Sequence, residues 1–181
     1  MGKSMVRNLM KHGFVVRIYA RHPEKVADVA AEGAELCDSI ADCVRGSEAV
    51  ITMVGFPADV RDVYFGAENI LASAARGTYL IDMTTTSPTL SQELSRAGAE
   101  RGMRVLDAPV TGGDTGARAG TLSILVGGAR EDYETCLPLF RAMGTTINYQ
   151  GGAGCGQHAK MANQIMIAGT LSGICEALSY A

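Results

Sequence analysis

Apolar residues recur along this chain in two alternating patterns. Met5, Val6, Leu9 and Met10 fall at the spacing of one helical face, which predicts a helix over 3–12 stopped by Gly13. FVVRIYA at 14–20 then makes a short apolar run of strand length. The alternation continues to the end of the chain. Helices are expected over 23–33, 39–46, 57–66, 87–102 and 130–144, and again from about Gly154 onward. Strands are expected over 49–55, 78–83, 103–110, 121–128 and 146–151. AVITMVG at 49–55 is apolar throughout, as a strand covered on both faces must be. Ser87 and Pro88 supply an N-cap and a first-turn proline to their helix. Pro138 is expected to kink or split its helix, because proline removes a backbone donor and crowds the preceding turn.

Strands alternating with helices of this length predict parallel β-α-β units. The fold class is therefore α/β, with a Rossmann-like, doubly wound, mostly parallel sheet. The last helix is the one candidate boundary. It divides a nucleotide-binding domain over 1–152 from 153–181, the start of a helix leading to a further domain. The opening MGKSMVRNLMKHG raises a question about that sheet. Gly2 stands where the third glycine of G-x-G-x-x-G lets the first helix pack on the sheet, so the first strand and two glycines would lie before Met1. That strand is central in the order 3-2-1-4-5-6, and without it the sheet has a gap flanked by unpaired backbone. The other reading takes Met1 as a true start, with its helix at the edge of a different α/β fold. At the far end, MANQIMIAGTLSGICEALSYA carries no helix stop signal.

Composition narrows the partners. Hydrophobic residues make up 47% of the 181 and charged residues 19%, which supports a core and argues against disorder. Net charge is −3 with no basic block, and Trp is absent, so no nucleic acid is expected. No apolar run reaches the roughly 18 residues that span a membrane, and residues 1–20 lack a signal-peptide core. Cys37, Cys43, Cys136, Cys155 and Cys175 form no CxxC pair and are expected as reduced, buried thiols of a cytoplasmic protein.

Three glycine-bearing or hydroxyl-rich stretches carry candidate chemistry. In LDAPVTGG a strand ends before Thr111, Gly112 and Gly113, where bare backbone and one hydroxyl can receive a carboxylate; a plain strand-to-loop turn is the other reading. In GGAGCGQHAKMANQ the glycines open a helix that sets Lys160 and Asn163 three apart on one face, with Gln164 beside them. An ammonium can exchange a proton with a substrate oxygen there while the amide holds a carboxylate. Met161, Ala162, Ile165 and Met166 surround Lys160 and are expected to bury it partly, lowering its pKa. LIDMTTTSP delivers Thr84 and Thr85 to a strand's C-terminal end, where ligands of open parallel sheets sit; turn and cap chemistry accounts for Thr86 and Ser87. Arg21 follows a strand at the place where a dinucleotide fold meets the adenosine ribose, which tilts the cofactor toward NADP over NAD. His12, His22 and His158 are not at metal-ligand spacing, and no metal is expected.

Taken together, DAPVTGG, GGAGCGQHAKMANQ and MGKSMVRNLMKHG resemble the β-hydroxyacid dehydrogenase family, that of the 3-hydroxyisobutyrate dehydrogenases and 2-hydroxy-3-oxopropionate reductases. The resemblance runs from Gly2 to Ala181. It implies an NAD(P)-dependent oxidoreductase acting on a small hydroxy acid, and a homo-oligomer for the full-length parent. It makes Lys160 the catalytic lysine, Thr111, Gly112, Gly113 and Asn163 the substrate-binding residues, and Thr85 a nicotinamide-side contact. Met53 and Val54 fall in TMVGF, the loop that passes the cofactor, and Gly2 in the phosphate-side turn. The chain departs from the family at Thr111, more often Ser, and at Gly55, often Pro. The opening strand and the helical C-terminal domain, with its second lysine, have no counterpart here, so the chain is expected to be a fragment. A non-catalytic dinucleotide-binding module is the rival reading. A 6-phosphogluconate dehydrogenase-like enzyme is a second, weakened by the lack of a basic phosphate clamp near the three motifs.

Overall fold

A computed structural model of the chain describes all 181 residues. It alternates helices and strands as the pattern predicts. Helix α1 (Gly2–Lys11) buries Met5 and Leu9, and leads to β1 (Arg17–Ile18). A 3-10 turn at Pro23–Lys25 precedes α2 (Ala27–Ala31), β2 (Glu35–Leu36) and α3 (Ile40–Val44). Next come β3 (Ala49–Thr52), α4 (Pro57–Phe65), α5 (Ile70–Ser73), β4 (Tyr79–Asp82), α6 (Pro88–Glu100) and β5 (Arg104–Asp107). The last part holds β6 (Val110–Thr111), α7 (Gly113–Ala119), β7 (Leu122–Gly128), α8 (Arg130–Met143), β8 (Gly144–Gly151) and α9 (Cys155–Tyr180). No helix is long and apolar enough to cross a membrane.

The sheet is in two pieces. β1 and β2 pair by themselves, and β3 pairs in order with β4 and β5, all parallel. β7 runs antiparallel to both β5 and β6 and parallel to β8. The break between β1 and β3 falls where the opening glycine pattern places a missing strand. Two apolar clusters cover the larger piece. Leu80 and Val105 pack with Val44, Val60, Tyr64 and Leu94 on one face, while their neighbours Ile81 and Leu106 pack with Met5, Leu9, Phe140 and Met143 on the other. That alternation is the period of two that a strand buried on both faces imposes.

Several expected elements differ. The strand over 14–20 shortens to two residues, because a ladder exists on one side only. The helix over 23–33 divides at Val26, whose φ of −119° and ψ of 6° leave the helical region. The strand over 103–110 breaks at Ala108–Pro109, where proline has no N–H for a ladder, and resumes as β6. β2, α5 and α7 were not anticipated; each is seven residues or shorter, too brief to show a period. α8 passes through Pro138 without splitting. Its orphaned carbonyl belongs to Glu134, which is exposed, so losing the donor costs little there. All five cysteines are free, but only Cys37 and Cys136 are buried; Cys43 and Cys155 are half-buried and Cys175 is exposed on α9.

Candidate active site

β6 and α9 meet at a single oxygen. Lys160 Nζ donates to Thr111 Oγ1 at 2.9 Å, and Asn163 Nδ2 donates to the same oxygen at 3.1 Å. Both acceptor positions of the hydroxyl are thereby filled, so its proton is left to donate to a ligand. Gly112 and Gly113 follow at φ of 124° and 60°, in a backbone region that side chains disfavour, and both are exposed. Lys160 is only 7% exposed, and burial lowers its pKa from the ordinary lysine value. The shelter comes from the packing of the first turns of α9 on β7, β5 and α6. Ile165 and Met166, expected to provide it, are 74% and 64% exposed. Gln164 is exposed and accepts from Asn163 Nδ2 at 3.2 Å. His158 is also exposed.

The position of Lys160 is fixed by residues the sequence reading did not single out. Asp107, at the end of β5, accepts the Gly154 N–H at 2.7 Å and the Gln157 N–H at 2.9 Å. It thereby satisfies free donors at the start of α9 and places a carboxylate at the positive end of that helix. Burial nevertheless raises the Asp107 pKa above its ordinary value. Gln157 is fully buried; its Nε2 donates to the Thr84 carbonyl at 2.7 Å and its Oε1 accepts the Thr86 N–H at 2.9 Å. One amide thus ties the lysine helix to the loop after β4. Gly156 permits the close approach, because a Cβ there would strike the carbonyl oxygen of Leu125. An amide inside a glycine-rich helix start was the available signal for Gln157.

The residues read as cofactor contacts gather at the C-terminal ends of parallel strands, except Gly2, which begins α1. α1 lies against α7, where Asn8 Nδ2 donates to the Ala117 carbonyl at 2.7 Å. Met53 and Val54 follow β3 and are half-buried. The two threonines after β4 have different surroundings. Thr85 is exposed, whereas Thr84 is 1% exposed and its hydroxyl accepts the Val54 N–H at 3.0 Å. Thr84 therefore braces the neighbouring loop from inside. Below it Asp82 Oδ1 accepts from Thr52 Oγ1 at 2.8 Å and from the Thr84 N–H at 3.1 Å, and Thr52 also meets the Tyr64 hydroxyl at 3.0 Å. Burial pushes the Asp82 pKa up to about 6. Arg21, after β1, is exposed and paired with Asp59 of α4 at 2.9 Å.

Residues 1–152 match the family described as the NAD binding domain of 6-phosphogluconate dehydrogenase. The chain belongs to that family. Among relatives of this NAD-binding domain, an uncharacterized oxidoreductase, YkwC of Bacillus subtilis, is 48% identical over all of this chain and 63% of its own length. A 3-hydroxyisobutyrate dehydrogenase of Pseudomonas aeruginosa is 38% identical over 99% of this chain and 60% of its own. The structure of Mycobacterium tuberculosis 3-hydroxyisobutyrate dehydrogenase with L-serine superposes with a TM-score of 0.93, at 36% identity, over 98% of this chain and 60% of that one. The chain therefore spans about three fifths of the length of these relatives.

Proposed function

We propose that this chain is the cofactor-binding and lysine-bearing part of an NAD(P)-dependent oxidoreductase of the 3-hydroxyisobutyrate dehydrogenase type, acting on a small hydroxy acid. The observation that carries this reading is the convergence of Lys160 and Asn163 on the Thr111 hydroxyl beside two bare glycines. A carboxylate held there takes the Thr111 proton as a hydrogen bond and the backbone at Gly112 and Gly113 as further donors. Asn163 turns its amide from Thr111 to the same group. The hydroxyl-bearing carbon of a substrate so held lies toward Lys160. A nicotinamide bound along the strand ends would supply the hydride acceptor for that carbon. Lys160, as the neutral amine, takes the hydroxyl proton in the same step, and in the reverse direction the ammonium returns it. Holding the carboxylate contributes by orientation, independently of the proton transfer.

Residues 1–152 are proposed as the NAD(P)-binding domain, and 153–181 as the start of a helix leading to a further, helical domain. Gly2, Arg21, Met53, Val54 and Thr85 fit a dinucleotide along the strand ends, which is where open parallel sheets hold one. Thr84 serves by bracing Val54. Arg21 must leave Asp59 to meet a 2′-phosphate, so NADP binding competes with the ion pair. Ile165, Met166, Leu171, Ile174 and Leu178 are exposed along α9, as expected of a helix that packs on further structure in an oligomeric whole. Free thiols fit a cytoplasmic location.

The test combines cofactor titration with an assay of 3-hydroxyisobutyrate and L-serine oxidation. It uses this chain and a longer form carrying it. Oxidation should rise with pH through the lowered pKa of Lys160, since the neutral amine is the base, and reduction should fall over the same interval. Lys160→Met should lose about 10²–10⁴-fold in turnover and keep the thermal shift given by NADH or NADPH. Turnover that survives the substitution removes Lys160 from the mechanism. A cofactor shift with no turnover in either form is the result a non-catalytic binding module would give.

A further inference from the structure

Two carboxylates lie side by side at the C-terminal ends of β4 and β5. Strand register puts Thr52 of β3 beside Asp82, Asp82 beside Asp107, and Asp107 beside Gly127 of β7. Residues paired in register share a face of the sheet. It is the face that carries Val50, Leu80 and Val105 two residues earlier on the same strands. Both acids are buried, Asp82 at 1% exposure and Asp107 at 3%. Gly127 leaves room for them, since a Cβ there would lie 2.6 Å from Asp107 Oδ1. The two are bonded unequally. Asp107 spends both oxygens on backbone N–H groups at the start of α9. Asp82 spends only Oδ1, on Thr52 and the Thr84 N–H, and its Oδ2 is buried without a partner. A charged oxygen in that position is costly, and a second carboxylate in the next register position repels it. A proton on Oδ2 removes both costs. No cation faces Asp82 to do so instead. Tyr64 of α4 and Asp107 of β5 are the titratable groups around it, and Thr52 of β3 and Gln157 of α9 are neutral. α6 buries Leu90, Ser91, Leu94 and Gly98, none of them charged, and Lys160 of α9 is turned to Thr111.

We propose that Asp82 and Asp107 are a one-proton pair of positioning residues, Asp82 as the acid under the cofactor loop and Asp107 as the carboxylate under the lysine helix. The consequences run along the hydrogen bonds. Asp82 holds the Thr84 N–H, and the Thr84 hydroxyl holds the Val54 N–H. The Thr84 carbonyl holds the Gln157 side chain, and Asp107 holds the Gln157 N–H. Gln157 stands three residues before Lys160, on one face of α9. When Asp82 loses its proton, two like charges sit in one buried row. The pair relieves that repulsion where its bonds are fewest, which is at Asp82. Thr84 and the Val54 loop then loosen first. The start of α9, capped by the ionised partner, stays seated. Burial raises the pKa of both acids, which favours keeping a proton within the pair. The cofactor half rests on dinucleotide binding alone, and the Lys160 half rests on the proposed reaction.

The experiment follows the aspartate carboxyl carbons by NMR across pH, in the longer form carrying this chain, with signals assigned through the backbone. The expected result is that Asp82 titrates near pH 6 while Asp107 is already ionised there. Two acids that both titrate at the ordinary value of about 3.9 overturn the proposal. This measurement needs no variant, so it stands if a substitution prevents folding. NADH, which has no 2′-phosphate to titrate, is then bound to the wild type and to Asp82→Asn on either side of that pH. The wild type should bind about tenfold more weakly on the alkaline side. Asn stays neutral throughout and should remove the difference. A pH dependence that persists in Asp82→Asn assigns it to another group and overturns the proposal. Asp107→Asn offers one acceptor where the start of α9 presents two donors. It should speed hydrogen exchange at 154–160 and return the Lys160 pKa toward the ordinary lysine value, whereas Asp82→Asn should do neither. Equal effects of the two substitutions overturn the division of roles. If these results hold and no hydroxy acid is oxidised, the proposed reaction fails and the one-proton pair stands.

Discussion

On one side of the sheet, β7 pairs with β5, β6 and β8, and β5, β7 and β8 are further held by α8 and the start of α9. On the other side, β1 and β2 pair through two residues each, and no strand joins them to β3. The first region holds Asp107, Gln157 and Gly156 in buried hydrogen bonds or close backbone contact. The second is tied to α1 by exposed charges. Arg7 reaches Glu32 at 2.6 Å and Asp28 at 2.7 Å, and Lys3 reaches Asp28 at 3.1 Å. The difference is one of mechanism more than of bond number. A buried donor or acceptor costs its full desolvation when its partner is lost, while an exposed ion pair is replaced by water. The proposed catalytic lysine stands on the side where positions are enforced in this way. Arg21, proposed to choose the cofactor, stands on the side where they are not.

Substitutions can break or sharpen that contrast. Gly156→Ala should have the largest effect. Its Cβ meets the Leu125 carbonyl and lies 2.8 Å from the Asp107 carbonyl, for a loss of about 3 kcal/mol. Denaturant unfolding would measure it, and a loss near zero would mean that α9 is not seated as described. Gln157→Leu should cost about 2 kcal/mol, because it leaves the Thr84 carbonyl and Thr86 N–H buried and unpaired. Its second signature is a shift in the pH dependence of Lys160, which a merely local packing defect would not produce.

Asp82, on β4 between the two regions, gives a pH test with a definite sign. Its folded pKa is raised from 3.8 to about 6, so the folded state holds its proton where the unfolded state has released it. Stability should therefore fall as pH rises from about 4 to about 6, by on the order of 2 kcal/mol. Asp82→Asn keeps an acceptor for Thr52 and Thr84 and should flatten that slope. An unchanged slope would assign the pH dependence to other groups. The smallest effect is expected of Arg7→Gln, on the loosely tied side. Arg7 and Lys3 pull the Asp28 pKa down to about 2, so the pair's contribution is lost only as pH falls below about 4 toward 2. The substitution should lower Tm slightly at low salt and not at high salt. A salt-independent loss would show that the α1–α2 junction is more rigid than its exposed charges suggest.

The helical face of α1, the apolar runs of β3 and β4, and the cap at Ser87 were legible because each is a local pattern of sufficient length, although β3 is only half-buried. Lys160 and Asn163 were legible as a pair because helical spacing alone puts them on one face. The sequence also pointed to the interrupted sheet, since Gly2 opens α1 at the spacing expected of the last glycine in a dinucleotide turn. Tertiary structure decided the rest. It brought Thr111 to Lys160 across 49 residues of chain, turned Thr84 inward and left Thr85 outside, and gave Arg21 the partner Asp59. It also buried Lys160 through the seating of α9 on the sheet, when the lysine's own helical neighbours lie exposed. Short-range order is written in the period of apolar residues. Which polar group meets which depends on strands that pair across long stretches of chain, and on where a missing side chain, as at Gly156, lets two backbones touch.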